Sequence, residues 1–223
     1  MAGATSLELA RGGRARMKRM RRSLLFLPAR LGYRVLPRFA STMRKWWTIA
    51  RNPQATIRFG KDCYLGPGFS LHIPEQGEFI VGDGVEFRRN FRCEVWGRGR
   101  VTIGSGSFMT YGVLMQCSTS IEIGERCCIG YCSSVYDGSH RFRDISVPFL
   151  DQGYEFRPIR MENDSVVHSL CTVINDIGER AVIGAGAVVT RAIPAYTVAV
   201  GAPARPIDYF GPADARPAEL ASS

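Results

Sequence analysis

The sequence predicts an all-β parallel β-helix over most of its length, on three observations. Aliphatic residues recur every six positions, small residues stand four positions after them, and helical periodicity vanishes beyond Asn52-Pro53. Four ladders of three rungs carry the first pattern: Ile103, Met109, Met115; Ile123, Ile129, Val135; Met161, Val167, Val173; and Ile177, Ile183, Val189. Ser107, Val113, Thr119, Cys127, Ser133, Ser165, Cys171, Ala181 and Ala187 carry the second, and bulky groups are excluded there. Glycine often follows the aliphatic directly, as at Gly104, Gly124, Gly130, Gly178 and Gly184, which suits a backbone that turns where a side chain would be awkward. Six residues then make a short strand plus a corner. Three such units close a triangular coil, and coils stack about 4.8 Å apart by parallel pairing, burying one aliphatic per edge. Weaker rungs at Ile57, Cys63, Leu65, Leu71, Val81, Phe87 and Cys93 predict less regular coils toward the N-terminus. Aperiodic text from about residue 136 to 160, with Pro148, Pro158, Gly138 and Gly153, predicts a loop projecting from one corner.

The segment before the ladders has a different character. Residues 1–51 hold thirteen Lys or Arg against the single acid Glu8, so the net charge of +9 for the 223-residue chain resides in that segment. The first sixteen residues offer too little apolar surface to offset the entropy of ordering and are expected to be disordered. From about Met17 to Ile49, Leu24, Leu27, Leu31, Val35, Trp46 and Trp47 alternate irregularly with Arg and Lys. This reads as a basic amphipathic helix cut by Pro28 and Pro37. The expected organisation is a basic arm over 1–51, a β-helix domain over 52–207 and a tail over 208–223. A solvated or subunit-packing arm and docking on an anionic membrane surface are both open readings.

Composition narrows the compartment and the chemistry. The apolar run Leu24–Leu27 stops at Pro28, which makes a poor signal peptide, and Arg21-Arg22 is followed by too short a stretch for a twin-arginine signal. No run approaches the roughly 18 apolar residues of a membrane span. Seven cysteines form no C-x-x-C pair, which fits a reducing cytosol and a cytoplasmic location. The strings Gly104-Ser105-Gly106 and Gly184-Ala185-Gly186 lack the third glycine of a dinucleotide fingerprint and read as repeat corners. His72, His140 and His168 are too widely spaced for a zinc site, and no metal is expected. His72 and His168 lie within repeats and read as solvent-facing. His140 sits where the ladder breaks into the loop, which marks it as a functional candidate.

Three segments carry a family resemblance: "IEIGERCCIGYCSSVYDGSH" at 121–140, "FRPIRMENDSVVHS" at 156–169 and "IGERAVIGAGAVVTRAIPAYTVAVGAPARPI" at 177–207. Here the chain resembles the hexapeptide-repeat acyltransferases, in particular the maltose, galactoside and nodulation-factor O-acetyltransferase branch with its polysaccharide-modifying relatives. The resemblance implies a left-handed β-helix, a homotrimer with sites between subunits, and direct transfer from acetyl-CoA to a saccharide or related hydroxyl without an acyl-enzyme. It places the general base on His140, and a neutral imidazole at cytosolic pH suits that task. Coenzyme A contacts fall on Ser169, Ala185, Thr190, Arg191 and Arg205, the arginines meeting phosphates. Acceptor contacts fall on Thr110 and Tyr111.

The departures from the family pattern also carry expectations. Thr110 and Cys117 stand where sugar acetyltransferases carry Asn and Asp, so a maltose-like or galactoside-like acceptor is not expected. Val166-Val167-His168 replaces a Trp-Ile-Gly run. Val173 to Ile177 spans four residues where six are expected, which predicts a pinched coil at Ile174-Asn175-Asp176. A nucleic-acid partner is not expected. An amine acceptor would use the same base, and the alternative to an enzyme is a catalytically silent β-helix trimer acting as a binding or assembly scaffold.

Overall fold

The computed structural model describes residues 35–217 together with Gly32, and within that range the strands form three long sheets around one interior. Face A stacks Thr56–Phe59, Glu78–Val81, Arg100–Ile103, Ser120–Ile123 and Ile159–Met161. Face B stacks Tyr64–Leu65, Glu86–Phe87, Phe108–Met109, Cys128–Ile129, Val166–Val167, Val182–Ile183 and Thr197–Val200. Face C stacks Ser70–His72, Arg92–Val95, Leu114–Cys117, Ser134–Tyr136, Thr172–Val173 and Val188–Val189. Every pairing along these stacks is parallel, so the chain is a parallel β-helix. The predicted arm over the first sixteen residues and the helical pieces before residue 35 lie outside the described residues, apart from Gly32.

Strand register explains where the sixfold pattern is strong and where it fades. Val81 pairs with Ile103, 22 residues on, and Ile103 with Ile123, 20 residues on. Met161 bridges to Ile177 and Ile177 to Ile193, each 16 residues on. The early coils therefore carry extra residues at their corners, which weakens the periodicity there, while the late ones are pinched as Val173 to Ile177 predicts. Thr119 is one casualty. It is only half-buried, and Cys117 takes the inward place in that longer coil. At the pinch, Asn175 is buried, donating through Nδ2 to Thr190 O at 3.1 Å and accepting Asp176 N at 2.9 Å through Oδ1. One side chain thus supplies the bonds that a shortened corner backbone lacks.

The small residues four places after each aliphatic prove to be more than space-savers. Ser107 Oγ donates to Gly124 O at 2.8 Å and accepts Cys127 N at 3.0 Å, joining its coil to the next. Ser133 repeats the device one corner along, donating to His168 O at 2.8 Å and accepting Cys171 N at 3.0 Å. A buried hydroxyl satisfied in both directions offsets its desolvation and fixes the stacking register. Glycine at Gly130 has a related cause. A Cβ there would overlap the backbone of His168 in the following coil, so the constraint is close approach.

Both ends of the stack are covered. Leu36–Arg51 is one α-helix, α1, and Pro37 sits in its first turn, where the missing N–H has no helical partner to lose. Pro37 starts this helix instead of cutting it. From Ser41 onward the residues belong to the same compact unit as the coils. Ser41 Oγ accepts Leu65 N at 2.8 Å, Arg44 donates to Leu65 O at 2.8 Å, and Asn52 Oδ1 accepts Ile73 N at 2.8 Å. These side chains satisfy the outer edge of the first coil. Phe69, Phe79, Phe87 and Phe91 fill the interior behind that edge. At the far end Arg205–Tyr209 returns antiparallel onto Thr197–Val200.

Two predictions come from this packing. Gly130→Ala should destabilise by about 1–3 kcal/mol through overpacking, read as a shift in the urea midpoint. All seven cysteines are free thiols, and burial, with the Asp137 carboxylate adding, pushes Cys117 up to about 12. Below that pH the thiol stays protonated. Cys132, the exposed one, should therefore react with an aromatic disulfide reagent in the native protein, and Cys117 only after unfolding.

Candidate functional site

The long insertion is a β-hairpin with an ordered tip, where sequence reasoning expected an unstructured loop. Gly138–His140 pairs antiparallel with Tyr154–Phe156, setting His140 opposite Tyr154 and Gly138 opposite Phe156. Gly, Ser and His give no alternation of apolar residues, so the strand was silent in sequence. The tip is held by Asp144, which accepts Ser146 N at 2.9 Å and Ser146 Oγ at 2.6 Å, and by Gln152, which donates to Asp144 O and Val147 O. Its return is tied to the pinched corner: Arg157 meets Asp176 at 3.0 Å, and Asp176 accepts Arg160 N at 2.9 Å. The two irregular features of the coil brace each other.

The hairpin base is anchored by a carboxylate that sequence reasoning passed over. Asp137 is 4% exposed, accepts Ser118 N at 2.9 Å, and accepts Thr119 N at 2.6 Å and Thr119 Oγ1 at 2.8 Å. Bonds of this kind to a buried charge are the strong ones, and they fix the corner from which His140 projects. Asp137 lies three residues before His140, and that proximity was the available signal.

His140 is half-buried, with its ring centroid 4.2 Å from that of Tyr154 and 5.1 Å from that of Phe149. Its Nδ1 is buried and takes no hydrogen bond among the described residues. The ring borders a cavity of about 530 Å³, within the range of small-molecule sites. Tyr136, Asp137, Tyr154 and Phe156 wall it on the hairpin side, and Glu94, Trp96, Gln116 and Ser118 wall it along face C. Glu94 lies in the strand Arg92–Val95 and Trp96 just past its end, at alternate outward places, a period-two signal that the sixfold repeat masks.

The remaining sequence candidates are placed elsewhere on this chain. Thr110 and Tyr111 follow the face B strand Phe108–Met109 and do not line the His140 cavity. Thr110 Oγ1 is buried without a partner among the described residues, and the Arg88 guanidinium lies 5.7 Å from the Tyr111 ring centroid. Ser169 and Ala185 occupy one corner on successive coils, where Gly186 N donates to Ser169 O at 2.9 Å. Thr190 and Arg191 leave face C at its last strand, and both are exposed. Arg205 opens the closing strand, donating to Ala204 O at 3.3 Å. Neither Arg191 nor Arg205 meets a carboxylate among the described residues, which leaves both guanidinium groups available to an anion. His72 and His168 are exposed, as their places in the repeats imply. Among the described residues no cluster of His, Cys, Asp and Glu has the makings of a metal site.

Comparison with known proteins agrees with this architecture. No family model matches the chain. A Mycobacterium tuberculosis protein named a probable acetyltransferase is 29% identical over 72% of this chain and 55% of its own length. A Schizosaccharomyces pombe protein, also given an acetyltransferase name, is 34% identical over 48% of this chain and 52% of its own length. The chain thus spans about half the length of the curated relatives it matches. Among solved structures, a hexapeptide-repeat acetyltransferase of Vibrio cholerae in complex with acetyl coenzyme A superimposes with a TM-score of 0.53 at 22% identity, covering 73% of this chain and 75% of that one. AntD, an N-acyltransferase of Bacillus cereus bound to dTDP and 3-hydroxybutyryl-CoA, gives a TM-score of 0.56 at 18% identity over 73% and 87%. In sequence the chain is similar to proteins named as acetyltransferases, and in fold to a hexapeptide-repeat acetyltransferase.

Proposed function

We propose that the chain is an acetyl-CoA-dependent O-acetyltransferase acting on a hydroxyl of a saccharide or related small molecule. The observation that carries this reading is His140, held on a braced hairpin beside a cleft lined by aromatic and polar side chains, on the fold of an acetyltransferase solved with acetyl coenzyme A. In the reaction, His140 takes the proton of the acceptor hydroxyl as its oxygen attacks the thioester carbonyl. Collapse of the tetrahedral species forms the ester and expels the coenzyme A thiolate, which receives the proton from the imidazolium. A backbone N–H at a coil corner stabilises the oxyanion. Ser169, Ala185 and Thr190 line the path of the pantetheine arm, and Arg191 and Arg205 meet the phosphates. Thr110 and Tyr111 contribute to acceptor binding from a neighbouring subunit of a homotrimer. That assembly also supplies the hydrogen-bond partner that the buried Nδ1 of His140 lacks among the described residues.

With acetyl-CoA and a panel of sugars, free thiol should appear, and His140→Ala should slow its release roughly 10²- to 10⁴-fold. Equal release by both proteins would remove the proposed base, and no release by either would favour the scaffold alternative.

The enzyme works at the inner face of a membrane in this reading. Among the described residues no helix is long and apolar enough to cross one, but α1 contains no acid and exposes Trp46 and Trp47 at 68% and 65%. Lys45 and Arg51 flank the pair, and Trp beside basic side chains suits the headgroup region of an anionic leaflet. Ser41 and Arg44 cap the first coil, so point substitution tests this better than truncation. Trp46→Ala with Trp47→Ala should abolish co-sedimentation with phosphatidylserine vesicles, and undiminished pelleting would defeat the membrane contact.

A further inference from the structure

Outward side chains on face C form a ladder that continues well past the reactive histidine. His72 pairs with Glu94, Glu94 with Gln116, and Gln116 with Tyr136 on successive coils. At about 4.8 Å per coil these four rungs run on the order of 14 Å down the face from the hairpin. Gln116 Nε2 donates to Glu94 at 3.1 Å, which leaves a carboxylate oxygen and an amide oxygen side by side as acceptors. Trp96 stands beside the ladder, 43% exposed, with its ring edge-on to His72 at 5.6 Å. The described residues lining the cavity include two carboxylates, Glu94 and Asp137, and no Lys or Arg.

We infer that this cleft takes an uncharged oligosaccharide of more than one ring, and that a sugar carried on a nucleoside diphosphate is excluded. The inference rests on the acetyltransferase reading and names its acceptor class. The target hydroxyl lies at His140, and the chain descends face C with successive rings along the ladder. Vicinal hydroxyls donate to the paired Glu94 and Gln116 oxygens. Trp96 offers its π-face to the apolar C–H side of a pyranose. A diphosphate in the same cleft would meet the Glu94 carboxylate, and none of the described residues lining this cavity is a cation that offsets it, a cost that a neutral glycan does not meet. Glu94 and Trp96 are thereby assigned as specificity-determining residues.

The test is binding to the full-length protein without acetyl-CoA, measured by calorimetry and saturation-transfer NMR. Probes are maltotriose, cellotriose and tri-N-acetylchitotriose, their monosaccharides, and dTDP-glucose. At least one trisaccharide should bind roughly tenfold more tightly than its monosaccharide and than dTDP-glucose. Trp96→Ala should lose roughly tenfold of that affinity while Trp96→Phe retains most of it, with circular dichroism unchanged in both, and Glu94→Lys should raise the affinity for dTDP-glucose. Preference for dTDP-glucose, no binding by any trisaccharide, or an unaltered Trp96→Ala affinity overturns the inference. Thiol release with a nucleotide-linked sugar would sink the groove alone. Trisaccharide binding without any thiol release from acetyl-CoA would sink the transferase reading alone.

Discussion

Everything in this protein hangs on the vertical hydrogen bonds between one coil and the next. Each coil is too small to bury a core by itself, so its aliphatic side chains gain shelter only from the rungs above and below. Backbone pairing sets the spacing, and the buried serines lock it: a one-residue slip would turn Ile129 outward and leave the Ser133 hydroxyl without His168 O. Stacking therefore dictates residue size at the corners, and it positions every outward side chain in a vertical column. The cleft beside His140 is a product of that columnar order. Its wall opposite the hairpin comes from strands far apart in sequence that share only their place on face C.

The hairpin departs from this economy, and it is braced accordingly. Asp137 draws three donors from a single corner, and Asp176 clasps the returning strand from the pinched coil. The general base proposed at His140 would need a fixed approach to its acceptor, and a flexible excursion of more than twenty residues would not give one. The shortened corner at Ile174-Asn175-Asp176 therefore serves the site, because it brings Asp176 to the root of the hairpin.

What could be read in the sequence was whatever repeats. Aliphatics at sixfold spacing and small residues between them gave the three faces, because a periodic environment imposes a periodic composition. The pinch at Val173 to Ile177 was legible as a count. The longer corners of the early coils blurred the pattern without hiding it, and Thr119 was misplaced by those extra residues. The candidate site was legible only where it broke the repeat, as at His140. Glu94, Trp96 and Gln116 were silent because outward positions on a solenoid tolerate almost any residue, and only the register shows which of them share a column. Asp137 was hidden by its chemistry: one aspartate in a corner looks like any other until its three donors are in view.

The covering of the two outermost strands has a consequence for the protein as a material. A stack of parallel coils has no intrinsic reason to stop, since its terminal strands offer the same unpaired amides that recruit each new rung. Here Ser41, Arg44 and Asn52 occupy the first such edge, and the antiparallel Arg205–Tyr209 lies over the last coil. A chain with that starting helix damaged would keep its interior intact yet gain a sticky end. Its failure would then take the form of fibrous self-association, with individual molecules still folded.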